Sequence, residues 1–152
     1  EKAAADSTRN IDWIASEYNI PVKAAASVAD ARRLGEIFEH DSVAAIATET
    51  YLGPQRGEFD INTTSKELSA LYSDTIAQIA RILKPGGKAV LVLPAFGRGQ
   101  QRQFLPLDFH GLTITSPLPA EYARLGGITQ RNTLLYGRSD QNVWREVLIL
   151  RK

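Results

Sequence analysis

The sequence predicts an α/β fold: a doubly wound sheet, mostly parallel, with an antiparallel hairpin at its C-terminal end. Three observations carry that expectation. Two short apolar runs of strand length, "SVAAIAT" at 42–48 and "KAVLVLP" at 88–94, are unbroken rather than alternating, as in strands covered on both faces. A long stretch of helical period lies between them. The chain then closes on two strand-like runs, "NTLLYGR" and "VWREVLIL", separated by the polar turn "SDQN". Strand and helix signals that alternate in this way mark a layered α/β domain.

Each element has its own justification. Ala4, Ile11, Ile14 and Tyr18 recur at helical spacing and predict an amphipathic helix that ends near Asn19-Ile20-Pro21, where proline stops it. "VKAAAS" at 22–27 reads as a short buried strand, and "VADARRLGEIFEHD" as a loop with a short helix. After the Gly- and Pro-containing loop "LGPQRGEFDIN", Thr64 stands three residues before Glu67 in the capping-box pattern. Leu68, Leu71, Tyr72, Thr75, Ile76, Ile79 and Leu83 then share one helical face, and "KPGG" ends the helix with a proline and two glycines. No internal repeat or low-complexity linker divides the chain, so residues 1–152 read as a single domain.

Composition narrows the chemistry. At 152 residues, 43% hydrophobic and 23% charged, the chain has an ordinary globular make-up. It has no cysteine, and His40 and His110 are its only histidines, which excludes disulfides, thiolate nucleophiles and a zinc cluster. Gly-x-Ser-x-Gly and Gly-Lys-Ser/Thr motifs are absent, which argues against a serine hydrolase or a P-loop enzyme. No apolar run approaches the roughly 18 residues of a membrane helix, and nothing reads as a signal peptide. The expectation is a cytoplasmic protein without a membrane partner. Charge is polarised: residues 1–76 carry 7 Lys and Arg against 13 Asp and Glu, whereas residues 77–152 carry 11 against 4. Arg98, Arg102, Arg124, Arg131 and Arg138 fall in or beside expected loops, where they would meet phosphates.

A long helix closing in "LKPGG" and feeding the strand "KAVLVLP", followed by a terminal hairpin, resembles the class I S-adenosylmethionine-dependent methyltransferases, which have a Rossmann-like sheet. "EKAAADSTRNIDWI", "TETYLGP" and "TLLYGRSDQNVWREVLILRK" together resemble the RNA methylase family that modifies guanine N2 in tRNA. In that family the first strand carries a Gly-rich cofactor loop and the second ends in an acid. Neither motif is present, and Gly97-Arg98-Gly99 reads as a plain loop. The resemblance thus implies a truncated domain, residues 1–152, with a partial sheet that lacks the first two strands, which the family's sheet order would place between 22–27 and 42–48. The gap would be closed by re-pairing those two strands or by a second copy in a homodimer.

The resemblance also implies a site. Glu49 stands where the family has an acid that orients the target amine; Thr50 and Tyr51 stand at its two prolines, Leu52 at its aromatic, and Gly53 at its glycine. Glu is one methylene longer than Asp, Thr50 lacks the rigidity of proline, and Leu52 cannot stack on a base, a role Tyr51 would take instead. Asp30, with Ala31 beside it, matches the acid that contacts the cofactor's adenine, and Glu49 would border the cofactor too. Without the resemblance, Glu49 caps a turn, Asp30 caps a helix, and Tyr136, Trp144 and Arg145 are packing and pairing residues. The function implied is S-adenosylmethionine-dependent methylation of an exocyclic amine of RNA, specifically tRNA guanine, with the chain alone binding the cofactor weakly and remaining inactive. A DNA amino-methyltransferase and a non-catalytic RNA-binding or assembly module are the alternatives.

Overall fold

The computed structural model describes residues 1–54, 58–97, 102–138 and 140–152, the side chains at 123–125 excepted. Two compact units divide the chain, residues 1–30 and 31–152. In the first, α1 (Lys2–Tyr18) ends as the sequence predicts: Asn19 takes the left-handed conformation and its N–H bonds back to the carbonyls of Ala15 and Ser16. No residue of α1 is buried, and Trp13 and Tyr18 make an edge-to-face contact on its surface. The strand expected at 22–27 does not form; the segment has no regular secondary structure. A run of small apolar residues specifies a strand only when a neighbour accepts its backbone hydrogen bonds, and none is assigned there.

The second unit is a mixed sheet with α2 (Ile61–Ile82) on one face. Its strands are β1 (Val43–Glu49), β2 (Leu83–Phe96), β3 (Gln103–Phe104), β4 (Thr113–Thr115), β5 (Leu134–Tyr136) and β6 (Val143–Arg151). The order is β1-β2-β6-β4, with β3 on β2 and β5 on β6. β1 and β2 are parallel, and the four other pairings are antiparallel, so the mostly parallel sheet expected is in fact a mixed one. β1 was expected to be covered on both faces, yet among the described strands it pairs with β2 alone and lies at the edge, largely exposed. The terminal hairpin forms as expected, Leu135 opposite Glu146 and Tyr136 opposite Arg145.

Side-chain alternation assigns the two faces. Ile46 and Thr48 of β1, Ala89, Leu91 and Leu93 of β2, and Leu148 and Leu150 of β6 look toward α2, which answers with Leu68, Tyr72, Ile76 and Ile79. Helix α2 begins four residues earlier than the capping box suggested, because Asp60 rather than Thr64 caps it: its carboxylate accepts the Thr63 N–H at 2.6 Å. Hydrogen bonding from the Thr63 side chain, and then from its N–H, holds the Asp60 carboxyl below its ordinary range. Leu83, expected as the last helical residue, is the first of β2 and fully buried. Lys152 Nζ ties the other end of the helix, donating to Ala80 O and to Asp41 Oδ1, each at 2.6 Å.

The parallel pairing depends on one close approach. Val43 lies opposite Leu83 and Ala45 opposite Lys88, so the Lys84-Pro85-Gly86-Gly87 segment bulges from β2 before the register settles. Gly86 takes φ +78, and a Cβ on Gly87 would stand 2.9 Å from the Ala44 carbonyl, from Leu83 Cγ and from the Lys84 carbonyl. Two of these are backbone atoms, one on β1 and one in the bulge of β2, that cannot yield without moving the chain. Gly87→Ala should therefore destabilise the fold by about 1–3 kcal/mol; unchanged stability in urea unfolding would contradict this packing.

The core also holds an ionisable group. Glu146 on β6 is fully buried; Thr133 Oγ1 donates to its Oε1 at 2.7 Å and Arg131 Nε lies 3.3 Å from the same oxygen. Burial pushes the Glu146 carboxyl above its ordinary 4.5, against the pull of Thr133 and Arg131. A raised folded-state pKa means that protonation favours the fold; this contribution is present below the unfolded pKa and is lost as pH rises through the folded one. Glu146→Gln should gain stability relative to the parent on going from about pH 4 to about pH 8. An unfolding difference that stays constant across that range would refute it.

Candidate functional site

Parallel strands of α/β sheets present their ligands at their carboxyl ends, and at the end of β1 the chain places Glu49, Thr50 and Tyr51. The turn is held by hydrogen bonds. Thr50 donates both its N–H (3.1 Å) and its hydroxyl (2.8 Å) to the carbonyl of Val92. Tyr72 on α2 donates its hydroxyl to the carbonyl of Tyr51. Burial raises the Tyr72 phenol above its ordinary pKa, so it stays a neutral donor near neutral pH.

Between two such anchors the side chains diverge. Leu52 turns inward and joins the core, and Gly53 (φ +82) lets the chain pass over Phe96 and Leu68. Tyr51 turns outward with 65% of its surface exposed. The residue in the aromatic position of the resemblance is therefore a core anchor, and the ring free to stack is one position earlier.

Glu49 faces away from α2, as alternation from Thr48 and Thr50 requires. There its Oε1 accepts from Arg145 Nε at 2.8 Å, with Tyr136 opposite Arg145 on β5. The side chains are 53% and 36% exposed; a pair this open contributes about 0–1 kcal/mol, too little to be the reason for the carboxylate's place. Arg145, read from sequence as a pairing residue, does pair, but with the acid at the strand tip. No pattern in the sequence signals a contact across 96 residues.

On the opposite face, a cleft of about 210 Å³ runs between β1 and α2, lined by Ala31, Thr48, Thr50, Tyr51, Leu71, Tyr72, Thr75, Ile76, Leu91 and Leu93. Of the three residues expected on a cofactor, Ala31 lines this cleft, Glu49 does not, and Asp30 is an exposed residue that closes the first unit. Ligand clefts usually measure about 300–1,000 Å³. This one has room for a ring-sized group only. Among the described residues no group of three or more His, Asp or Glu is placed to hold a metal ion, and no helix is long and apolar enough to cross a membrane.

Of the arginines expected on nucleic acid, Arg98 and the side chain of Arg124 lie outside the described residues. Arg102 lies just past the carboxyl end of β2, its guanidinium 4.1 Å from the centre of the Trp144 indole and donating to the Gly97 carbonyl. Arg131 packs inward, its Nη1 donating to the Leu105 carbonyl at 3.1 Å and its guanidinium near the rings of Phe104 and Phe109.

No protein-family model matches the chain, and no curated protein matches it in sequence. Solved structures do. PvuII DNA methyltransferase, described as cytosine-N4-specific, is 16% identical with a TM-score of 0.50, over 82% of this chain and 47% of that one. A Thermus thermophilus protein described as a DNA modification methylase, in complex with S-adenosyl-L-methionine, is 18% identical with a TM-score of 0.48, over 82% and 54%. A Methanosarcina mazei structure described as a SAM-dependent methyltransferase is 15% identical with a TM-score of 0.37, over 95% and 77%. The chain thus spans about half the length of the first two. At such identities a likeness establishes fold alone: the six-stranded mixed sheet with α2 is part of a methyltransferase-type, Rossmann-like α/β fold.

Proposed function

We propose that the chain is part of an S-adenosylmethionine-dependent methyltransferase acting on an exocyclic amine of a nucleobase. The observation that carries this reading is the tip of β1, where an accessible carboxylate and an accessible aromatic ring stand two residues apart on a backbone pinned by Thr50 and Tyr72. An exocyclic amine is a poor nucleophile because its lone pair is delocalised into the base. A carboxylate that accepts an amine hydrogen favours a pyramidal nitrogen with its lone pair directed outward. Glu49 would do this through Oε2, while Arg145 holds Oε1 and fixes the carboxylate's orientation. As the nitrogen becomes cationic, the same oxygen is placed to take its proton. Tyr51 would stack on a base drawn out of its strand.

The bound cofactor supplies the electrophilic methyl group. Ala31, which lines the cleft, is the residue proposed to border it, whereas Glu49 faces the other side of the sheet; the size of the cleft supports a share rather than the whole of the binding site. Leu52, buried in the core, would contribute only by anchoring the turn. RNA, and within it tRNA guanine N2, is the substrate implied by the resemblance of "TETYLGP" and the terminal hairpin. A second reading, a cytosine or adenine amine of DNA, is favoured by the fold shared with the cytosine-N4-specific enzyme.

Methyl transfer from labelled S-adenosylmethionine to tRNA and to duplex DNA, measured with the intact protein, tests both. Glu49→Ala and Tyr51→Ala should each lower turnover by about 10²-fold or more while changing nucleic-acid affinity much less. Full activity in both variants would remove the strand tip from the chemistry. Nucleic-acid binding with no transfer to either substrate would leave a non-catalytic module.

A further inference from the structure

The turn at residues 126–133, which leads into β5, lies over Glu146. The chain enters it through two glycines in the left-handed region, Gly126 (φ +76) and Gly127 (φ +85), where it can change direction at little cost. Bonds within the turn knit it together. The Thr129 N–H donates to the Thr133 carbonyl at 2.8 Å, the Asn132 N–H donates to the Thr129 carbonyl at 3.0 Å, and the two threonine hydroxyls lie 2.6 Å apart. Beside β5 the turn is held by the Leu135 N–H, which donates to the Gly127 carbonyl at 2.9 Å, and by the bridge of Ile128 to Leu134.

Among the described residues, its polar contacts with the rest of the sheet run through Thr133 and Arg131. The Thr133 hydroxyl and Arg131 Nε reach Glu146 Oε1 at 2.7 and 3.3 Å, and Arg131 Nη1 reaches the Leu105 carbonyl at 3.1 Å. Thr133 is the one buried residue of the turn; the others are half-buried or exposed. A fully buried carboxylate thus lies under a thin cover, and segments with so little buried surface open locally more readily than a core.

Other charges give Glu146 no support. Leu93 of β2 and Leu135 of β5 stand opposite it, and Trp144 and Leu148 are its neighbours on the same face of β6. The one titratable group that α2 buries, Tyr72, is turned to the Tyr51 carbonyl. Arg102 stacks on Trp144 and donates to Gly97, and Asp108 and His110 gather around Ser73. Among the described residues Arg131 is therefore the one charge that acts on the carboxylate, and it does not offset the loss of water. Lifting the turn lets water reach Oε1 and relieves that loss, but only when the carboxyl is ionised. The sign follows. The closed form holds the proton more tightly than the open form, so closure is strongest below the ordinary 4.5, weakens as pH rises through the closed-form value, and levels beyond it.

We propose that residues 126–133 form a pH-responsive strap, closed over Glu146 while that carboxyl is neutral and opening at the Gly126-Gly127 hinge once it is ionised. The device goes beyond the function proposed above and does not rest on it, since none of its residues belongs to the tip of β1.

Hydrogen exchange reads the strap at the Leu135 amide, whose bond to Gly127 breaks on opening, and the whole fold at the Leu91 amide within the sheet. Expressed as protection relative to the unfolded chain at each pH, Leu135 should lose about threefold or more between about pH 4 and about pH 8, while Leu91 changes less and stays better protected. In Glu146→Gln, whose side chain stays neutral, the Leu135 protection should be flat over that range. Both histidines are retained in that variant, so a dependence arising from them would persist. A Leu135 protection that does not fall in the parent, that falls equally in Glu146→Gln, or that falls only in step with Leu91 would each overturn the strap. Should Glu146→Gln fail to fold, the two profiles of the parent decide.

Discussion

The carbonyl oxygen of Val92 accepts both the amide and the hydroxyl of Thr50, and the arrangement at the end of β1 follows from that junction. It fixes where the parallel pairing of β1 and β2 stops, and so where Glu49 and Tyr51 emerge. With Thr50 turned toward α2, alternation sends Glu49 to the other face, within reach of Arg145, while Tyr72 holds the next carbonyl and leaves the Tyr51 ring outside. Upstream, the register that brings Thr50 to Val92 depends on Gly87 letting β1 approach β2 closely.

Two carboxylate–arginine contacts on β6 or beside it illustrate opposite uses of charge. Glu49 and Arg145 are half exposed, and screening makes their attraction worth little to the fold. That weakness is compatible with the role proposed for Glu49, because a partner could take up the carboxylate without disturbing the sheet. Glu146 and Arg131 face the reverse balance. The carboxylate is fully buried, its second oxygen has no partner among the described residues, and the cost of desolvation outweighs what Thr133 and Arg131 return. The contact does, however, tie the segment before β5 to the middle of β6, since Thr133 and Arg131 both reach the same oxygen.

The sequence made the long helix, the two central strands and the terminal hairpin legible, because each carries its own period or turn chemistry: Leu68, Tyr72, Ile76 and Ile79 at helical spacing, and "SDQN" between the paired runs. It misplaced what depends on neighbours. The run at 22–27 has the composition of a strand but forms none, and "SVAAIAT" has the composition of a covered strand yet lies at an edge. Strands β3 and β4, of two and three residues, are too short to leave a periodic signal. At the site, Glu49 and Tyr51 were visible through the motif they resemble, but the inward turn of Leu52 was not, since it follows from Gly53 and the core beneath. The Arg145 and Trp144 contacts come from strand register, which the sequence does not display.

Hydrogen exchange at the Thr50 amide tests the central claim, that this residue is locked to Val92 and thereby positions the strand tip. The account predicts protection comparable to the amides of Leu91 and Leu93 in the middle of the sheet. A Thr50 amide that exchanges at the rate of an open loop, while Leu91 and Leu93 remain protected, would contradict it.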